Sequence, residues 1–242
     1  MLNQFSRTQL ILGEEAMDKL KNSTVAIFGI GGVGGYVCEA LARSGVYKFV
    51  LVDDDKVCLT NVNRQIIATL DTVGKYKCDV MKDRILSINP KAEVEIHKCF
   101  FLPSNQDDFD FKKYDYVVDA VDTVTAKIAI VLKAKEAKVP IISAMGAGNK
   151  LNPAMLEVSD IFKTKVDPLA KVMRIELKKR HINKLKVVYS KELPIKPNES
   201  NEDSTKREVP GSNAFVPTTM GLIIASEVVK DLTNIRNDVV GA

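Results

Sequence analysis

Two cations and three carboxylates are the residues of this chain best suited to chemistry: Asp53, Asp55, Arg64, Lys77 and Asp122, all downstream of a glycine-rich turn. The turn, Gly29-Ile30-Gly31-Gly32-Val33-Gly34, has G-x-G-x-x-G spacing. Backbone without β-carbons can approach phosphate oxygens, and a following helix presents N–H groups and the positive end of its dipole. Asp53 is the first acid after the next apolar run, where a carboxylate can accept hydrogen bonds from ribose hydroxyls. The turn alone suits a nicotinamide dinucleotide as well as ATP. The charges favour ATP: a pyrophosphate bridge needs few cations beyond a helix N-terminus, whereas cleavage between the α- and β-phosphates gains from Arg and Lys that stabilise developing charge. Mg²⁺ takes oxygen ligands, and Asp122, closing the run Asp119-Ala120-Val121-Asp122, is the best-placed donor. Taken singly, Arg64 would be a solvated loop charge and Lys77 a helix-surface charge. Arg7, in a polar N-terminal arm, would be a solvated side chain.

Alternating strands and helices must position these residues. Val25–Phe28 and Phe49–Val52 are short apolar runs on either side of the turn and of a helix over Tyr36–Ser44, which puts Val37, Ala40 and Leu41 on one face. Cys78, Met81, Ile85 and Ile88 recur at the helical period up to Asn89-Pro90. Further strands are predicted at Glu93–His97, Tyr114–Asp119 and Val139–Met145, with a helix at Thr125–Lys138. This predicts an α/β, Rossmann-like, mostly parallel sheet with helices on both faces. Asp119 and Asp122 would then lie together at the carboxyl end of a central strand, where ligands bind in open α/β sheets. His97 is assigned a structural role unless a partner carboxylate lies nearby.

Beyond Lys150 the pattern becomes mixed. Strands are predicted at Met155–Val158 and Lys184–Ser190, a basic helix at Asp167–His181 and a closing amphipathic helix at Gly221–Leu232. The expected organisation is an N-terminal arm with a helix near Glu14–Leu20 (1–24), a nucleotide-binding core (25–150), and a C-terminal extension (151–242) packed on the same domain. A flexible loop is expected at 197–211 from its polar composition.

At 242 residues with 45% hydrophobic and 27% charged residues, the chain can bury a full core. Its net charge of +4 does not by itself demand a nucleic-acid partner, but Lys163–Lys196 is dense in Lys and Arg and offers a surface for phosphates. Four scattered cysteines without a C-x-x-C pair, and two histidines, leave little material for a zinc site, so none is expected. No signal-peptide pattern is visible, and Phe215–Val229, interrupted by Pro217 and Glu227, is too short for a membrane span. A cytoplasmic location is expected.

GIGGVG, VDDDKV, NVNRQ, VGKYK and DAVD, in this order and spacing, resemble the ubiquitin-activating-enzyme-like adenylyltransferases of the molybdopterin and thiamine pathways, from about Arg7 to Gly148. The continuations MGAGNKLNP, SDIFKTKVDPLAKVMR and VPGSNAFVPTTMGLIIASEVVKDL narrow the resemblance to the bacterial tRNA threonylcarbamoyladenosine dehydratases. By that resemblance, Gly29, Gly31, Gly32 and Gly34 would cradle the phosphates, with Asn61 beside them. Asp53 would hold the ribose, with Asp55 next to it. Arg64 and Lys77 would contact the triphosphate, and Asp122 would bind Mg²⁺. Arg7 would reach into the nucleotide site of the second subunit of a homodimer, which replaces the solvated-arm expectation. The implied reaction is ATP-dependent cyclisation of a threonylcarbamoyl group on tRNA adenosine beside the anticodon, through an acyl-adenylate. The alternative is an adenylyltransferase that activates the C-terminus of a ubiquitin-like sulfur-carrier protein, with a carrier or sulfur-transfer protein as partner. Such enzymes usually hold zinc on paired C-x-x-C motifs and use a later cysteine. Here all four cysteines precede residue 100, which favours the dehydratase branch.

Overall fold

The computed structural model describes residues 2–198 and 210–235. In chain order the elements are helices α1 (Ser6–Leu12) and α2 (Glu14–Asn22), strand β1 (Thr24–Phe28), α3 (Gly34–Ser44), β2 (Lys48–Val52), α4 (Lys77–Ile88), β3 (Glu93–His97), β4 (Tyr116–Asp119), α5 (Val124–Ala137), β5 (Ile141–Ala144), β6 (Leu156–Asp160), α6 (Pro168–Lys179), β7 (Lys186–Ser190) and α7 (Val216–Thr233). The strands form one seven-stranded sheet in the order β3-β2-β1-β4-β5-β7-β6. All pairings are parallel except β6 with β7.

Each strand serves two cores, because successive side chains point to opposite faces. Val25, Ile27, Phe49 and Leu51 join α3, α4 and α7 on one face. Ala26, Phe28, Val50 and Val52 join α5, α6 and a cluster of Phe101, Phe109 and Phe111 on the other. Burial on both sides is why these strands read as continuous apolar runs rather than alternating ones. Past Lys150 the chain does not begin a separate sheet: β7 pairs with β5 and carries β6 on its outer edge.

Strand order reverses between β1 and β4, with Phe28 paired to Val52 on one side and Asp119 on the other. Open α/β sheets leave a crevice at such a switch point, outside the carboxyl ends of the strands. The glycine turn occupies it. α7 leans on the same region: a Cβ on Gly221 would lie 2.5 Å from Val33 O and 2.9 Å from Tyr36 Cβ, so glycine permits α7 to cross α3.

Two sequence expectations need correction here, and a third falls mostly outside the described residues. The N-terminal arm holds two helices, not one; α1 buries none of its residues and so offers no apolar period to detect. The closing helix starts at Val216, ahead of the expected Gly221, because Pro217 sits in its first turn, where a missing N–H costs nothing. Asn213 Oδ1 accepts from the N–H groups of Phe215 and Val216 just before it. The expected flexible loop at 197–211 falls for the most part, at 199–209, outside the described residues.

Candidate active site

The four glycines divide into two pairs. Gly29 has φ +90°, and a Cβ there would meet Ala120 O at 2.7 Å and Val121 N at 2.9 Å. A Cβ on Gly34 would overlap the carbonyl of Gly29. These two let the turn fold against β4's exit loop. Gly31 and Gly32 face space: the nearest atoms to a Cβ are Gln65 Nε2 at 3.8 Å and Pro217 Cβ at 3.4 Å. Open space therefore lies beside Gly31 and Gly32, while Gly29 and Gly34 are where the turn packs too closely for a side chain.

Asp53 follows β2 and is nearly buried. Its Oδ2 accepts from Ile30 N at 2.6 Å and its Oδ1 from Asp55 N at 2.9 Å. The acid therefore braces the glycine turn, while each oxygen keeps a second lone pair for another donor. Burial raises its carboxyl pKa, only partly offset by Lys77 and the two N–H groups.

Lys77 reaches this corner through a short pairing of Lys56 with Tyr76, closed by Val57 N to Lys75 O and Gly74 N to Val57 O. The positive φ of Gly74 makes that turn. Lys77 thus opens α4 beside the acids, with Nζ 2.5 Å from Asp55 Oδ2 and 3.9 Å from Asp53 Oδ1. Asp55, expected beside the nucleotide, holds the lysine.

Asn61 shapes the connection that delivers Arg64. Its Oδ1 accepts from Cys58 N, and its carbonyl accepts from Arg64 N and Gln65 N. The Arg64 stem lies beside Gly32, 3.5 Å from a Cβ placed there. Its Nη1 donates to Thr60 O and Asn63 Oδ1. It borders a cavity of about 650 Å³, also lined by Asn149, Lys150, Ile195 and Gly211.

Asp122 is exposed in the loop leaving β4, on the opposite flank of the turn from Asp53. Its expected companion Asp119 is not in the crevice. It is fully buried, bonded to Lys127 and Ser143, and faces the core. Arg7 stands exposed on α1, which packs against α2.

Sequence reasoning missed Gln65, buried beside Gly31, and the sealed Lys127 and Lys150. Lys150 Nζ donates to Asp167 Oδ2 at 2.9 Å and Gly146 O at 2.6 Å, tying the loop after β5 to the start of α6. The legible signal for Lys127 was a lysine inside the apolar run Ala126–Val131 of a helix that faces the sheet. His97 does have a carboxylate partner, Glu95 at 2.8 Å, but the pair lies on edge strand β3 and Glu95 is exposed. Of the four free cysteines, Cys38 and Cys78 are buried, Cys99 is half-buried and Cys58 is exposed.

A switch-point crevice with a glycine turn, a bracing acid and flanking cations defines a Rossmann-like nucleotide-binding protein. The ThiF family model matches residues 4–241, and the chain belongs to the ThiF family. It is 47% identical over 242 residues to the tRNA threonylcarbamoyladenosine dehydratase of Bacillus subtilis, covering 96% of this chain and 95% of that one. The Haemophilus influenzae dehydratase of the same name is 35% identical over 231 residues, covering 90% and 88%. Crystal structures of E. coli tRNA N6-threonylcarbamoyladenosine dehydratase, TcdA, in complex with ATP and with AMP match at a TM-score of 0.87 and 34% identity, covering 96% of this chain and 94% of TcdA.

Proposed function

We propose that this protein is an ATP-dependent tRNA-modifying enzyme that cyclises the threonylcarbamoyl group on tRNA adenosine. The observation that carries this is the near full-length likeness to dehydratases of that name, one of them with ATP bound. The free carboxylate of the threonyl group attacks the α-phosphate of ATP, and pyrophosphate leaves. An atom of the carbamoyl group then closes on the activated acyl carbon, the acyl–phosphate bond breaks, and AMP departs. Tethering makes the second step intramolecular, so no covalent enzyme intermediate is required.

The residues divide the work by position. Gly31 and Gly32 lend open backbone to the phosphates, and Asp53 holds the turn and the ribose. Arg64 and Lys77 stabilise charge on the triphosphate, Lys77 exchanging exposed Asp55 for a phosphate oxygen. Mg²⁺ fits the donor chemistry, since the ion takes one or two carboxylates together with substrate phosphates and water. Carboxylate oxygens of Asp53, Asp54 and Asp55 lie within 4.8 Å of one another, with Lys77 engaging Asp53 and Asp55; the metal is assigned to Asp122, across the glycine turn, on the family resemblance of the DAVD motif. When bound, the ion would neutralise charge on the phosphates.

A homodimer fits α1, whose exposed Arg7, Leu10 and Ile11 have no burial within one chain. A second copy seated there would bring Arg7 to its neighbour's nucleotide. For tRNA, the basic stretch is narrower than its composition suggests. Lys179 and Arg180 pair with Glu176, Lys186 with Glu227 and Asp231, and Lys191 with Glu157. Lys163, Lys165, Lys171, Lys178 and Lys184 are exposed without an ion pair among the described residues, and are the better phosphate contacts. No helix among the described residues is long and apolar enough to cross a membrane.

One experiment tests this function: AMP release from ATP, measured with threonylcarbamoylated tRNA, with unmodified tRNA and with a Gly-Gly-ended carrier protein. Stimulation by the modified tRNA alone is expected, from a protein that sediments as a dimer, with weaker stimulation after charge reversal at Lys171, Lys178 and Lys184. Stimulation by the carrier alone would transfer the assignment to sulfur-carrier activation.

A further inference from the structure

We infer that the buried Asp119–Lys127 pair positions Asp122, an inference that rests on the assignment of Asp122 to the metal. Asp119 is the last residue of β4, and Lys127 lies in the first turns of α5; both side chains are 0% exposed. Lys127 Nζ donates to both carboxylate oxygens at 3.0 Å. Ser143 Oγ, from β5, donates to Oδ2, and Val121 N donates to Oδ1 at 3.3 Å. One carboxylate thus ties together two strands, a helix and the loop that carries Asp122.

The loop is held residue by residue. Ala120 N donates to Phe28 O, and the Ala120 carbonyl packs against Gly29 so closely that no Cβ fits. Val121 is held by Asp119. Thr123 O accepts from Lys127 N, so the residue that pairs with Asp119 also anchors the loop's far end. Asp122 sits between these fixed points, with Thr123 Oγ1 at 3.3 Å from its Oδ1.

Packing alone does not call for two sealed charges. A buried ion pair is often matched or exceeded in stability by apolar residues of similar volume, because desolvation offsets the attraction. What apolar residues lack is direction: they do not fix the angle of a strand end or hold a particular N–H. The pair is therefore a positioning device, on the inner side of the loop whose exposed side carries Asp122.

The test compares Asp122→Asn, the paired replacement Lys127→Met with Asp119→Leu, and Ser143→Ala. The readouts are Mn²⁺ affinity in the presence of ATP by electron paramagnetic resonance, kcat and KM for tRNA, and hydrogen exchange of segment 120–123 without nucleotide. The paired variant should fold, lose about tenfold or more in Mn²⁺ affinity and in kcat, keep its KM for tRNA and exchange faster in that segment. A folded paired variant with wild-type metal affinity and kcat overturns the inference, provided that Asp122→Asn loses both. If Asp122→Asn binds Mn²⁺ like the wild type, it is the metal assignment that fails, and the positioning role goes with it. Should the paired variant not fold, Ser143→Ala decides: removing one donor should weaken Mn²⁺ binding about threefold, in the direction seen for outer partners of metal ligands, and no change overturns the inference.

Discussion

Lys77 and Lys127 are both nearly or fully buried lysines paired to aspartates at the carboxyl edge of the same sheet, yet their surroundings differ. Lys127 and Asp119 are each 0% exposed, and Ser143 completes the carboxylate's contacts. Lys77 is 7% exposed, but its closest partner, Asp55, is 64% exposed. An ion pair with one solvated member contributes little to stability, because water competes for the carboxylate. Such a lysine can pass from its aspartate to a phosphate at small cost. The sealed lysine has no alternative partner to move to. The difference separates two uses of one residue pair: the half-open one suits chemistry, and the closed one holds the scaffold for it.

This contrast can be broken. Lys127→Met should destabilise the protein by about 3–5 kcal/mol, since it leaves Asp119 charged and unpaired, and Asp119→Leu in the same chain should recover most of that. Denaturant unfolding measures both, and a stable single variant would deny that the pair is sealed. Lys77→Met should split differently: kcat falls about 10²–10³-fold, as for loss of one transition-state charge stabiliser, while the stability loss, which comes from nearly buried Asp53 left without its cation at 3.9 Å, stays smaller than that of Lys127→Met. A large loss of stability there would make Lys77 a brace as well.

The glycines sharpen the same distinction on the backbone. Gly29→Ala should cost about 1–3 kcal/mol, from its positive φ and the Ala120 carbonyl. Gly31→Ala should stay within about 0.5 kcal/mol of wild type in stability. It should nevertheless weaken ATP binding, because its Cβ enters the open side of the turn. Calorimetry with ATP separates the two, and equal stability losses would erase the division.

The nucleotide half of this molecule was legible in the sequence for a physical reason. Doubly buried parallel strands such as Phe49–Val52 have no solvent face, so they appear as apolar runs between turn residues. Gly29, Asp53, Arg64, Lys77 and Asp122 stood out because charges and glycines interrupt those runs. Side-chain direction was not legible. Asp119 and Asp122 are three residues apart at the same strand end, and only the pleat and the approach of α5 send the first inward and leave the second outside. The partners of Asp55 and Glu176 were hidden likewise, as they depend on the Lys56–Tyr76 pairing and on spacing along α6. Helix α1 escaped detection because its apolar Leu10 and Ile11 point outward.

The central claim is that the substrate's own carboxylate attacks the α-phosphate of ATP. Modified tRNA whose threonyl carboxylate carries ¹⁸O, turned over by this protein with ATP, tests it most directly. Mass spectrometry of the released nucleotide should find one ¹⁸O in the phosphate of AMP. Label in inorganic phosphate with ADP as the co-product, or AMP without label, would contradict it.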